Sequence, residues 1–258
     1  MFVTFLSDFG LQDDFVGTCH GVIKRIAPEV QIIDVTHGIP PQQVLQGALV
    51  LASTLPYMPV GVHLAVVDPG VGSSRRPLAL RDREGRYFVG PDNGLLVPAA
   101  DLAGIETAHE LANPEYALDT ISRTFHGRDL FAPVAGHLAA GVPLERLGPP
   151  LARLSVPFVL PPPRHEAGRL SGEVLHVDTY GNLVTNLPAS VLPPRFTLHV
   201  GASAVRAAPH PHYQAVAPGT PLALVGSAGL LEVSVRDGNA AAQLGAGRGS
   251  PVTLEPDP

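Results

Sequence analysis

The sequence predicts an α/β domain over residues 1–156, its mostly parallel sheet sandwiched by helices. A proline-rich linker at 157–164 follows, and then a small antiparallel β-barrel over 165–258. Three observations carry this. Short apolar runs alternate with helical periods in the first half, the signature of an α/β sandwich. Pro157, Pro161, Pro162 and Pro163 stiffen one stretch. After it, short β-branched runs separated by Gly, Asn, Asp and Pro continue with no convincing helix.

The first strands fall at Phe2–Leu6, Gln31–Val35, Val62–Val67 and Tyr87–Val89, each short and ended by turn residues. Between them, Val16, Cys19, Ile23 and Ile26 repeat at helical spacing over Phe15–Ile26. Val44, Leu45, Leu49 and Ala52 do the same over Gln42–Leu55. Leu130–Ala140 is a further apolar helix. In the second domain the expected strands are Ser171–Val177, Phe196–Val200, Pro221–Val225, Leu231–Val235 and Pro251–Glu255.

Composition narrows the function. The 258 residues carry a net charge of −6, with Lys24 the only lysine, which argues against a nucleic-acid-binding surface. The single cysteine, Cys19, excludes internal disulfides and a cysteine zinc site. The opening MFVTFLSDFG lacks a basic region and a cleavage site, so it predicts a strand, not a signal peptide. No stretch is long and apolar enough to span a membrane, and a cytoplasmic protein is expected.

Ligands of parallel sheets sit beyond the carboxyl ends of strands, and three strands end there in polar or glycine-rich text. Asp8 follows the first strand, before Phe9 and Gly10, where a carboxylate can accept bonds from a vicinal diol. Asp13 and Asp14 precede a helix and suit its N-cap. Asp68-Pro69-Gly70-Val71-Gly72 closes the third strand, with glycines that let backbone amides approach a ligand, and Arg75 follows. His126 sits at a helix N-terminus, where the dipole favours neutral imidazole. The remaining histidines show no ligand spacing, so no metal and no cofactor is expected. Asp8-Phe9-Gly10 and His126-Gly127-Arg128-Asp129 echo kinase signatures, but in reversed order and without a lysine strand.

Together the blocks resemble one family. They are Ser7-Asp8-Phe9-Gly10 with Asp13, Asp34-Val35-Thr36-His37, Asp68 to Gly72 with Arg75, Gly90-Pro91-Asp92-Asn93-Gly94, Thr124 to Asp129, Asp178 with Gly181-Asn182, Thr185-Asn186, and Ser227 with Glu232. In this order they resemble the S-adenosylmethionine-dependent fluorinases, chlorinases and S-adenosylmethionine hydrolases (hydroxide adenosyltransferases). The resemblance implies homotrimers whose sites lie between the first domain of one subunit and the second domain of its neighbour. It implies Asp8 as the ribose carboxylate, with Asp13 also substrate-binding. Asp178 and Asn182 would line the methionine and adenine ends, Tyr213 would lie against adenine, and Ser227 and Glu232 would meet methionine and nucleoside. Asp68, Arg75 and His126 together match the water-using branch, in which S-adenosylmethionine, above all its (R)-sulfonium epimer, yields adenosine and methionine. The short run from Arg75 to Pro91, and Gln42 where the fluorinase has tryptophan, both separate the chain from halide transfer.

The chemistry such a site needs is limited. A sulfonium is already a good leaving group, whereas bulk water, with a pKa of about 15.7, is a poor nucleophile. Arg75 and the amides around Gly70–Gly72 are expected to stabilise partial hydroxide, and His126 to orient the water and accept its proton. Three other readings stay open: a halogenase, which would give a chloride-dependent product; a non-catalytic adenosine or S-adenosylmethionine binder, which would bind without turnover; and a metal-dependent phosphohydrolase, which chelators would inhibit.

Overall fold

The computed structural model describes residues 1–156, 160–201 and 203–257. The chain forms two compact units, Met1–Phe158 and Val159–Pro258. Residues 157–159 of the expected linker lie outside the described residues. From Pro161 onward the stretch is tied to the second unit, because Asn186 Nδ2 donates to the Pro161 carbonyl at 2.7 Å.

The first unit runs β1 (Phe2–Ser7), α1 (Phe15–Ile26), β2 (Gln31–Thr36), α2 (Val44–Thr54), β3 (Val62–Val66), β4 (Pro77–Asp82), β5 (Tyr87–Pro91), α3 (Val97–Ala100), β6 (Ile105–Glu110) and α4 (Ala132–Ala139). Its six-stranded sheet has the order β2-β1-β3-β5-β4-β6. The β1–β2, β1–β3 and β3–β5 pairs are parallel, whereas β4 is antiparallel to both β5 and β6. The sheet is therefore mixed, and β4 and β6 are two strands beyond those the sequence predicts. A short loop explains the direction of β4: it is joined to β5 by a tight turn around Gly85, which permits only an antiparallel return.

Both faces of the sheet are covered, which is why the central strands are apolar at successive positions. On one face Val3, Phe5, Leu64 and Val66 pack with α1 and α4; on the other Leu6, Ala65, Val67 and Phe88 pack with α2 and α3. Phe5 and Phe88 are fully buried, and burial of such a side chain contributes roughly 1.5–3 kcal/mol. Asp14 occupies the N-cap of α1 without capping it; its carboxylate accepts instead from Thr18 Oγ1 at 2.9 Å. The helix expected from Leu130 begins earlier, in a π-type turn over Gly127–Phe131 that runs into α4.

The second unit holds β7 (Arg164–Glu166), β8 (Arg169–Val177), β9 (Leu183–Pro188), β10 (Phe196–Val200), β11 (Ser203–Ala207), β12 (Pro209–His210), β13 (Pro221–Val225), β14 (Leu230–Val235), α5 (Ala240–Leu244) and β15 (Pro251–Pro256). The strands order as β11-β10-β15-β8-β9-β14-β13-β12, with β7 beside β8. Pairing is antiparallel except for β12 with β13, which is parallel. The short helix α5 corrects the expectation of an all-strand domain. Asn239 caps it by accepting from Ala242 N at 2.8 Å, and Gly245 ends it in the left-handed region.

Candidate active site

Two aspartates meet because of register. Ser7 of β1 pairs with Val66 of β3, so the residues just beyond, Asp8 and Asp68, emerge side by side at the carboxyl edge of the sheet. They line a cavity of about 230 Å³ together with Phe9, Gln42, Val71, Thr124, Phe125 and His126. The Asp68 loop is pinned on both sides. Asn93 Nδ2 donates to the carbonyl of Val67 at 2.9 Å, and buried Asp92 holds Arg76 at 2.7 Å. The Asp92-Asn93 block thus positions the neighbours of Asp68 and of Arg75.

Arg75 joins the set. Its Nε donates to Asp68 Oδ1 at 3.0 Å and its Nη2 to Asp68 Oδ2. The same Nη2 lies 3.1 Å from His126 Nδ1. A guanidinium only donates, so His126 Nδ1 is an acceptor and the neutral ring carries its proton on Nε2. His126 is thereby set as a hydrogen-bond donor at Nε2, which suits orienting a water oxygen and not removing its proton. Burial, aided by the Arg75 charge, holds the His126 pKa below its ordinary value and keeps the ring neutral. Burial pushes the Asp68 carboxyl up, against the opposing pull of Arg75. The Arg75 guanidinium also lies 5.3 Å from the centre of the Phe131 ring, a cation–π contact.

The backbone amides of this loop are largely spent. Val71 N donates to the Asp68 carbonyl at 3.2 Å, and Gly70 N–H bonds the Asp68 side chain. These two amides hold the turn and are not free for an anion, contrary to the role expected of them. Asp8 is half committed: its Oδ2 accepts from Gln42 N at 2.8 Å, leaving Oδ1 to a ligand. Gln42 makes this bond with φ of 66°, a conformation that costs on the order of 1–3 kcal/mol and gathers at functional sites. The apolar spacing predicts Gln42 as the first residue of the second helix, but α2 begins at Val44 and Gln42 stands before it with positive φ; its bond to Asp8 has no signal in the text. Asp13 is exposed and is not among the residues lining the cavity. Cys19 is fully buried with its pKa pushed up to about 12 by that burial, so it is an inert core thiol.

In the second unit, Asp178 bonds the backbone amides of Tyr180 and Asn182, and Asn182 Nδ2 at 2.9 Å. It shapes the turn that presents Asn182. Asn182 and Tyr213 line a cavity of about 790 Å³ with Tyr180, His212, Gln214 and Arg236. The Tyr213 hydroxyl donates to Glu232 Oε1 at 2.8 Å, and Ser234 Oγ donates to the same oxygen. Burial and the Glu232 bond push the Tyr213 pKa up to about 12, so it stays a phenol. Ser227 lies exposed in the turn between β13 and β14, outside this lining. Tyr180, His212, Gln214 and Arg236 were not singled out from the sequence, where they sit in ordinary loop text.

A separate group forms in the first unit. His20 of α1, Asp34 of β2 and His37 just beyond β2 bring one donor atom each within 4.8 Å of one another. Their sequence separations hide this grouping, because a helix and a strand supply the side chains.

The chain matches the family model of the SAM hydroxide adenosyltransferase N-terminal domain over residues 3–148 and that of the C-terminal domain over 172–253. It is 47% identical over 247 residues to a protein of Salinispora arenicola named (R)-S-adenosyl-L-methionine hydrolase, covering 93% of this chain and 92% of that one. A Thermus thermophilus protein of the same name is 42% identical over 98% of both. A fluorinase of Actinoplanes is 32% identical, over 72% of this chain and 71% of its own. A crystal structure of a conserved protein from Thermotoga maritima superposes with a TM-score of 0.90 at 38% identity, covering 98% of this chain and 99% of its own.

Proposed function

The chain belongs to the SAM hydroxide adenosyltransferase family, and from that premise we propose that it hydrolyses S-adenosyl-L-methionine, preferably the (R)-sulfonium epimer, to adenosine and L-methionine. The observation that carries this reading is the Asp68–Arg75–His126 set at the cavity that also holds Asp8.

Water attacks the ribose 5′-carbon in line with the carbon–sulfur bond. The new carbon–oxygen bond forms as the old bond breaks, and its electron pair leaves with methionine as a neutral thioether, so no general acid is needed. His126 Nε2–H donates to the water oxygen and fixes its direction. Asp68, whose affinity for a proton burial raises, takes the proton released by the attacking water and passes it to solvent. Arg75 holds both partners in place and balances the Asp68 charge. Asp8 Oδ1 accepts from the ribose hydroxyls. Charge is lost along the path, and a water-poor cavity favours that. The reaction asks for no metal and no cofactor.

Asn182, Tyr213 and Glu232 form the second half of the binding surface, with Tyr213 offering an aromatic face to adenine. Asp178 supports Asn182, and Ser227 and Asp13 lie at the margin. We further read the second unit as barrel-like, the molecule as a cytoplasmic homotrimer, and the sites as shared between neighbouring subunits. Incubation with each sulfonium epimer, followed by chromatography, tests the reaction. Adenosine and methionine in equal amounts, formed faster from the (R) epimer, are expected. A chloride-dependent nucleoside product, or binding without turnover, would overturn the reading.

A further inference from the structure

We propose that His20, Asp34 and His37 form a binding site for one divalent first-row transition-metal ion, apart from the reaction cavity. His20 Nε2 lies 2.9 Å and His37 Nε2 3.1 Å from the same oxygen, Asp34 Oδ1. Neighbouring ligand atoms around a zinc-sized ion, at metal–ligand distances of about 2.0–2.2 Å, stand roughly 3–3.5 Å apart. Both histidine nitrogens therefore stand near that spacing from the carboxylate, and all three donors lie within 4.8 Å of one another. Two imidazoles and one carboxylate suit a borderline ion such as Zn²⁺ or Co²⁺; Ca²⁺ and Mg²⁺ ask for more oxygens.

An independent feature of His37 points the same way. The residue is only 4% exposed and its Nε2 makes no hydrogen bond, its polar neighbour being Asp34 Oδ1 at 3.1 Å. A buried polar nitrogen left so is costly. Its other nitrogen, Nδ1, is held at 2.7 Å by Ser7 Oγ, which is itself fully buried and accepts from Phe9 N. A hydrogen bond on one imidazole nitrogen, here Nδ1 with Ser7 Oγ, fixes the ring and leaves the other nitrogen to bind an ion, as second-shell partners do for metal-binding histidines. The His20 and Asp34 side chains are 30% and 42% exposed, so an ion has a path in and water can complete its shell.

The site has a structural consequence. His37 grips the Asp8–Phe9 segment from both sides: its ring meets Ser7, and its carbonyl accepts from Gly10 N at 2.8 Å. An ion bound here ties α1 to β2 and, through His37, stiffens the segment that presents Asp8. None of the three ligands lines the reaction cavity, so the ion stands outside the bond-breaking step, and the proposal is independent of the hydrolase reading.

The test uses the full-length, untagged protein after chelator treatment, with Co²⁺ followed by visible absorption and Zn²⁺ by calorimetry and thermal melting. One Co²⁺ per chain with a d–d band, and a melting temperature raised by Zn²⁺, are expected. His20→Ala and Asp34→Asn, both at partly exposed positions, should each weaken binding by more than about tenfold and abolish the Zn²⁺ shift. Absence of both the Co²⁺ band and the Zn²⁺ heat in the wild-type protein overturns the site, and that result does not depend on either variant folding. Variants that fold and bind as tightly as wild type overturn it equally.

Discussion

Arg75 is asked to satisfy a buried carboxylate and a partly exposed imidazole with one side chain. Its own side chain is 7% exposed and that of Asp68 is 5% exposed, so removing either partner leaves a poorly solvated charge, at a cost of about 3–5 kcal/mol. Arg75→Ala and His126→Ala are expected to lower turnover far more than adenosine affinity, since His126 acts on the water, Arg75 holds His126 and Asp68 in place, and neither acts on the nucleoside. Asp8→Ala should do the reverse. Its free Oδ1 is lost along with the bond to Gln42, and binding should weaken by roughly 1.5–3 kcal/mol. Turnover and adenosine affinity measured on all three variants decide this; a His126→Ala protein with full turnover at saturation would make His126 a binding residue. The pH dependence follows from the same contact. Protonating His126 destroys the acceptor that Arg75 bonds, and its folded pKa is held below 6.5. Activity is therefore present above that folded pKa and lost as the pH falls through it, so the acid limb of the kcat profile should have its midpoint below pH 6.5. A midpoint above 6.5 would contradict the assignment.

At the scale of elements, three loops interlock around the cavity. A Cβ on Gly72, whose φ is +75°, would come within 2.2 Å of the Arg123 carbonyl, and one on Gly127 within 2.8 Å of Phe9 Cζ. The Asp68 loop thus lies against the segment that carries Thr124–His126, which in turn lies against Phe9. Buried Asp129 fastens that segment by accepting from Ser122 N at 2.8 Å. Gly72→Ala meets both a backbone clash and an unfavourable φ, a strain of at least about 1–3 kcal/mol. Lower melting temperature and a loss of turnover, with the Arg75–His126 geometry disturbed, are the expected results. Gly85→Ala is the control: it too has positive φ, but it meets no neighbouring atom within 4 Å. Equal loss of turnover in both variants would show that backbone conformation alone matters and that the docking of the two loops does not.

At the scale of the whole molecule, the residues proposed to bind substrate divide between two units, with a cavity in each. A trimer with sites shared between subunits makes a specific prediction about mixtures. Asp68→Asn and Tyr213→Ala chains, each crippled alone, should recover part of the activity when co-expressed, because some sites then combine two unmodified halves. Sedimentation should show a trimer. A stable, fully active monomer, or no recovery in confirmed mixed trimers, would sink the shared-site arrangement.

Much of the fold was legible in the text because it is local. Apolar periodicity located β1, α1, β2, α2 and β3, and the strand-end aspartates followed from the rule that parallel sheets bind ligands at their carboxyl edge. The Asp68, Arg75 and His126 set was likewise legible, as blocks in order. What the text did not hold was anything set by contacts between distant segments. The antiparallel β4 and β6 answer to a sheet edge, and the parallel β12 to a neighbouring strand. The tautomer of His126 is decided by a guanidinium 51 positions away, the free oxygen of Asp8 by the amide of Gln42, and the His20–Asp34–His37 group by a helix lying against a strand. Hydrogen-bond direction and donor spacing are properties of atoms in space, and only the tertiary structure brings those atoms together.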